Sequence, residues 1–256
     1  MLAAFVYARG ARASRHWPSW RTLAFFAGLL TLLASLATQL EQYAYELFSA
    51  HMLQHMLLTL AAAPLLLLGA PITPLLRGLP KSVRRRVIAP VARWRPLRFA
   101  LHTLRSPLVA GILYVGGLYF WHIPRLYDAA VEDAFLHIVE HGWYLASALL
   151  FWSVVIDPEP FRSSMHYAAR ILYLLLAGAA QNTILGGVLA FSSRIFYPHY
   201  STSALAYGID PLTDQRVGGA IMWVPGDMIF LVAASFAFMR WLQTEEDEQR
   251  RREARA

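Results

Sequence analysis

The chain has 256 residues, of which 57% are hydrophobic and 15% are charged, with a formal net charge of +7 and a mean hydropathy of +0.40. Average soluble domains carry about 25% charged residues, so this composition argues against a soluble globule and against a disordered chain. The chain contains no cysteine. This excludes disulfide frameworks, thiolate metal sites, iron–sulfur clusters and cysteine nucleophiles.

Six apolar stretches are long enough, or nearly so, to cross a bilayer, whose hydrocarbon core of roughly 30 Å needs about 20 residues of helix. In chain order they are residues 22–40, 52–76, 107–122, 135–156, 170–191 and 219–241. Residues 2–8 are apolar but too short to span, and we interpret them as a truncated helix or as a segment at the membrane interface. The pattern predicts an all-α, polytopic membrane bundle with six full transmembrane helices.

Lysine and arginine are distributed unevenly between the predicted connections. Twenty of the 23 basic residues fall on one side of a six-span arrangement, and only Arg125, Arg194 and Arg216 fall on the other. Cytoplasmic loops retain basic residues, so the N-terminal segment is predicted to be cytoplasmic and in contact with anionic lipid, without a nucleic-acid partner. We therefore divide the chain into a basic N-terminal segment (1–21), a transmembrane domain (22–242) and a charged cytoplasmic tail (243–256).

The histidines at the predicted outer face have a regular arrangement. His51 and His55 are four residues apart at the start of the second span, and His137 and His141 repeat this spacing at the start of the fourth. Residues four apart share one face of a helix. His122 ends the third span at the same depth. Because neutral imidazole binds copper, zinc, iron and nickel, we predict that these five side chains hold one or two metal ions.

Further residues near these histidines are candidate auxiliary ligands or groups that orient the ligands. They are Met52, Met56, Glu140, Met222, Asp227 and Met228. Thioether and imidazole without thiolate favour copper, and Cu(I) in particular, although a single methionine also serves as packing. Asp227 follows Pro225 inside the last span, roughly 12 Å deep, where ionisable side chains are costly. It is predicted either to orient a liganding histidine or to stabilise the helix kink.

Three other functions share some of these features. Residues 137–141 match the H-x-x-E-H pattern of inverted zincin proteases, with Glu140 as general base. The downstream glutamates fall on the wrong side of the membrane, so an aspartate such as Asp227 would have to supply the further carboxylate ligand. A b-type haem electron carrier would use histidines from different helices as axial ligands, yet the paired histidines all lie on one side. A transporter would need polar residues through the midplane, which only residues 181–183 supply.

Several segments together resemble the CtaG family of bacterial cytochrome c oxidase assembly factors. They are HMLQHM (51–56), PLLLLGAPITPLLRGLP (64–80), FWHIPRLYDAA (120–130), LHIVEH (136–141) and DQRVGGAIMWVPGD (214–227). The resemblance implies a multi-span, non-enzymatic protein of the bacterial plasma membrane that is needed to form active haem–copper oxidase and acts in copper supply. At the front the chain departs from the family pattern, because the first helix is reduced to residues 2–8.

From the resemblance and the histidine layer together, we expect copper to bind on the extracytoplasmic side, with zinc or haem as alternatives. The expected partner is a cytochrome c oxidase subunit or another copper donor. A milder alternative is a scaffold that holds either partner without touching copper itself.

Overall fold

A computed structural model describes residues 1–14, 16–160 and 165–254 of the chain. Arg15, Arg162 and Arg255, three of the basic residues that define the charge asymmetry, lie outside the described residues. The described part contains helices and connecting segments but no strand, which confirms the all-α class. The helices are α1 (Leu2–Arg12), α2 (Ser19–Leu36), α3 (Gln39–Glu46), α4 (Phe48–Leu68), α5 (Ile72–Gly78), α6 (81–93), α7 (Arg95–Leu104), α8 (Pro107–Trp121), α9 (Pro124–Glu132), α10 (Ala134–Ile156), α11 (Tyr167–Ala190), α12 (Tyr200–Ala206) and α13 (Pro211–Glu253).

Five of the described helices are long and apolar enough to cross a membrane, namely α2, α4, α10, α11 and α13. The third predicted span corresponds to α8, which has only 15 residues. It is long enough to cross a membrane only together with α7, and the two helices are bent by 66° relative to each other. The described residues therefore contain five candidate spans, or six if α7 and α8 together form one span. Large apolar side chains such as Leu30, Leu108 and Phe236 are exposed on the bundle surface, as lipid contact requires.

Several predicted span boundaries differ from the observed ones. The first span, predicted for 22–40, begins at Ser19 and ends at Leu36, before α3 starts at Gln39. The second span, predicted for 52–76, ends at Leu68, because Ala70 adopts a left-handed backbone with φ of 43° and the chain restarts as α5. The Tyr7 hydroxyl donates to the Gly69 carbonyl at 2.8 Å, which joins α1 to this break. The last helix begins at Pro211 rather than 219, since the Asp210 carboxylate accepts the Thr213 N–H at 2.9 Å and caps it.

The start of α4 is anchored to α13 by a side chain from the neighbouring helix. Asp214 accepts hydrogen bonds from the backbone N–H groups of Phe48 at 2.6 Å and Ser49 at 3.2 Å. These N–H groups have no partner within α4, so Asp214 acts as a helix cap supplied from another element. One turn further along α13, a Cβ at Gly218 would collide with the Phe48 ring, so the glycine permits this close approach.

The middle of α4 contains a wide, π-helical turn over Leu57–Ala62. The Thr59 carbonyl in this turn accepts a hydrogen bond from Trp152 Nε1 of α10 at 2.9 Å. The Trp152 ring in turn stacks on Phe230 of α13, with ring centroids 5.6 Å apart. These contacts fix α4, α10 and α13 together just below the histidine pairs.

Candidate metal centre

The two predicted histidine pairs face each other across α4 and α10. His51 lies opposite His137 and His55 lies opposite His141, with ring centroids 5.3 Å apart in both cases. Within α4, the Nε2 atoms of His51 and His55 are 2.9 Å apart. Both helices therefore begin at the same end of the bundle, and their i,i+4 pairs lie in register. All four rings are buried.

The protonation of His51 is fixed by a hydrogen-bond relay through Tyr200 of α12. The Tyr200 hydroxyl donates to the Ala44 carbonyl at 2.9 Å, so its oxygen accepts from His51 Nδ1–H at 2.9 Å. With the proton on Nδ1, His51 Nε2 presents its lone pair to the other histidines. This is the usual arrangement of a metal-binding histidine, whose second nitrogen donates to an oxygen.

The other end of the cluster is supported by α3. His137 Nδ1 lies 2.6 Å from the Tyr45 hydroxyl and 3.7 Å from the Glu41 carboxylate. Glu41 itself accepts a hydrogen bond from Gln54 of α4, whose amide also donates to the Ser35 carbonyl at 2.8 Å. Burial raises the pKa of the Glu41 carboxyl above its ordinary value, and the hydrogen bond from Gln54 opposes this shift.

Glu140 brings a carboxylate into the centre of the histidine cluster. It is fully buried, and its two oxygens lie 3.9 Å from His51 Nε2 and from His55 Nε2. Among the residues that the structure describes, neither Glu140 oxygen has a hydrogen-bond partner. The same holds for His55 Nδ1, His137 Nε2 and His141 Nε2. Buried polar atoms without partners are rare and costly in folded proteins, so this group of five atoms needs an explanation.

Three overlapping sets of side chains could hold a metal ion, each with its ligand atoms within 4.8 Å of one another. They are His51, His55 and His141; Glu41, His137 and His141; and His51, His137 and Glu140. Because the sets share His51, His137 and His141, they form one continuous site for a single ion or for two neighbouring ions. Imidazole and carboxylate ligands suit a divalent or monovalent transition-metal cation.

The structure places His122 and three of the predicted methionines beside the four clustered histidines and not among them. His122 Nδ1 donates to the Leu118 carbonyl at 2.8 Å, and the Tyr144 hydroxyl lies 3.2 Å from the same nitrogen. Since the Tyr144 ring also lies 4.3 Å from the His55 ring, Tyr144 stands between His122 and the cluster. Met52, Met56 and Met222 line a cavity beside His55.

Asp227 and Met228 have surroundings that the sequence did not indicate. Asp227 is hydrogen-bonded to Thr183 of α11 and not to any histidine of the described chain. The carboxylates that lie beside the histidines are instead those of Glu140 and Glu41. Met228 is 60% exposed and points away from the bundle interior.

The chain is similar to one protein family and to three mycobacterial proteins. The family model for the cytochrome c oxidase caa3 assembly factor matches residues 4–244. A protein of Mycobacterium leprae is 28% identical over 252 residues, which cover 95% of this chain and 37% of that protein. Proteins of Mycobacterium bovis and Mycobacterium tuberculosis are each 28% identical over 258 residues, which cover 96% of this chain and 38% of theirs.

All three relatives are described as uncharacterized proteins, and the chain spans less than two fifths of their length. No solved structure matches the chain.

Proposed function

Because this chain belongs to the family of cytochrome c oxidase caa3 assembly factors, we propose that it binds copper as cargo and delivers it to a haem–copper oxidase during assembly. The ligands are His51, His55, His137 and His141, with Glu140 at their centre. The protein is then a copper donor and not an enzyme. Its partner is an oxidase subunit or a second copper donor, which receives or supplies the ion.

One observation carries this proposal. Three imidazole nitrogens and both Glu140 oxygens are buried without hydrogen-bond partners among the described residues, and all belong to one cluster. A cation bound in the cluster would satisfy Glu140 and the free nitrogens of His137 and His141, whereas without an ion these buried polar atoms stay unpaired at a cost in stability. The site also offers more ligands than one ion requires. Such an excess favours exchange of ligands, as release to a partner demands.

The membrane orientation in this proposal follows from charge. Twenty of the 23 basic residues fall on the side opposite the histidines in the six-span arrangement, and cytoplasmic loops retain such residues. The histidine cluster would then face the extracytoplasmic side of the bacterial plasma membrane. That position suits delivery to an oxidase subunit that acquires its copper there.

Haem fits the histidine cluster less well than an ion does. Axial histidines lie on opposite faces of a planar macrocycle. Here the ring centroids of neighbouring histidines are only 4.1 Å apart within α10 and 5.3 Å apart between α4 and α10. A macrocycle could enter only if the two helices separated.

The direct test is elemental analysis and visible spectroscopy of detergent-purified protein after loading with Cu(I). We expect about one or two equivalents of copper and no Soret band, in line with the overlapping ligand sets. A strong Soret band would contradict the copper-donor function and support a haem carrier. Tightly bound, stoichiometric zinc would support the H-x-x-E-H protease. If the loaded protein retains no metal, the scaffold becomes the better account.

The Tyr200 relay gives a more specific prediction. Replacing Tyr200 with phenylalanine keeps the buried ring but removes the oxygen that accepts from His51 Nδ1–H. Loss of such an orienting hydrogen bond weakens metal binding by about 10–100-fold. Competition titration with a Cu(I) chelator measures this change. Tyr207→Phe, at an exposed tyrosine just after α12, is the matched control and should bind as the wild type does.

A further inference from the structure

A second group of potential ligands lies in a cavity directly beside the histidine cluster. The cavity is enclosed by α4, α8, α10, α11 and α13. Its lining includes three thioethers, two imidazoles and an amide, from Met52, Met56, Met222, His55, His122 and Asn182. His55 is therefore shared, because it belongs to the cluster and also forms part of the cavity wall.

His122 has a nitrogen available in this cavity. A carbonyl oxygen only accepts hydrogen bonds, so the 2.8 Å contact with the Leu118 carbonyl places the proton of His122 on Nδ1. Its Nε2 consequently carries a lone pair. This atom is buried and has no hydrogen-bond partner among the described residues. The side chain is only 6% exposed, so solvent does not replace the missing partner.

The three methionines bring sulfur to the same cavity from two helices. Met52 and Met222 are almost fully buried, and both belong to the apolar core next to the cluster. A Cβ at Gly226 would lie 2.6 Å from Met56 Cε and 2.6 Å from Asn182 Nδ2, so this glycine leaves room for Met56. Soft thioethers select Cu(I) over zinc and over harder cations, whereas the four-histidine cluster does not discriminate in this way.

We propose that this cavity is a second, sulfur-containing Cu(I) site, formed by Met52, Met56, Met222 and His122, and that His55 links it to the histidine cluster. The copper ion moves between the two sites by ligand exchange. His55 stays bound while nitrogens of the cluster are replaced by thioether sulfurs, and the ion remains Cu(I) throughout. The inference rests on the proposed copper-donor function.

The test separates the two sites by the metals that they prefer. Ag⁺ serves as a probe of thioether ligands, and Zn²⁺ serves as a probe of imidazole and carboxylate ligands. The variant M52L/M56L/M222L removes the sulfurs and largely conserves volume. Met228→Leu is the control, because Met228 is exposed outside the cavity. Binding is measured by titration of the purified protein, and copper ligation by X-ray absorption of the Cu(I) form.

In the wild type and in Met228→Leu, we expect sulfur as well as nitrogen in the copper coordination shell. In the triple variant, the sulfur contribution should disappear and the Ag⁺ affinity should fall about 10-fold or more, while Zn²⁺ binding stays unchanged. Unchanged Ag⁺ affinity in the triple variant, or nitrogen-only coordination in the wild type, overturns the second site. Failure of the wild type to bind either Zn²⁺ or Cu(I) overturns the proposed function with it.

Discussion

Replacing His51 and His55 together by alanine is expected to lower copper binding at the histidine cluster sharply, because only the set of Glu41, His137 and His141 survives. The substitution removes both ligands that α4 contributes, including His51, whose Nε2 lone pair is oriented by Tyr200. His137 and His141 remain and still form one of the three ligand sets with Glu41, but both sets that contain His51 are lost. Elemental analysis after Cu(I) loading and gel filtration measures the loss. Oxidase activity of membranes containing the variant should fall with it.

Two controls keep this experiment interpretable. His16→Ala/His102→Ala removes two exposed histidines and should leave the copper content unchanged. Alanine at two buried positions also creates a cavity, which costs about 2–5 kcal/mol for large side chains, so His51→Gln/His55→Gln should be measured in parallel. Glutamine retains most of the volume. Full copper stoichiometry in a folded glutamine variant would show that the assignment of the site to His51 and His55 is wrong.

Changing Glu140 to glutamine is expected to have opposite effects on metal binding and on stability. The carboxylate lies 3.9 Å from His51 Nε2 and from His55 Nε2, so it contributes negative charge to a bound cation. Its loss should weaken copper binding by about 10–100-fold. In the metal-free protein, however, the same carboxylate is buried without a hydrogen-bond partner among the described residues. Glutamine cannot ionise, so it removes the cost of a buried unpaired charge, and the melting temperature should rise by about 2–4 °C for each kcal/mol gained.

The opposite signs distinguish a functional carboxylate from a structural one. Thermal unfolding of the metal-free protein and copper titration are measured on the same preparation. Glu132→Gln makes the same change of charge at an exposed position and should alter neither quantity. If Glu140→Gln destabilises the metal-free protein and leaves copper affinity unchanged, Glu140 serves the fold and not the ion.

Helical periodicity made much of the candidate site predictable. Because residues four apart share a helix face, the pairs His51/His55 and His137/His141 were expected to converge, and the structure brings them together in register. The all-helical class followed from the apolar stretches in the same way. Span boundaries depended on local features that hydropathy does not register. The left-handed backbone at Ala70 is one example.

Partners from distant parts of the chain were not predictable by these means. Tyr200 is 149 residues from His51, and nothing in its local sequence indicates the contact. Glu41 carries only a weak signal in the sequence, as an ionisable residue immediately after the predicted end of the first span at residue 40. Asp227 was recognised as a costly intramembrane carboxylate. Its hydrogen bond with Thr183 depends on how α13 is rotated about its axis, and the sequence pattern does not define this rotation.

The wide turn at Leu57–Ala62 constrains how this protein can diverge in evolution. Each residue of a regular helix advances the rotation by about 100°, so an insertion or deletion between the histidines and the core-facing part of α4 would turn one against the other. Either His51 and His55 would turn away from His137 and His141, or Leu60 and Ala63 would turn out of the core. The number of residues between His55 and Ala63 should therefore be inherited as strictly as the histidines themselves. In an alignment of related proteins, a gap in this interval would mark lineages that have lost or rebuilt the site.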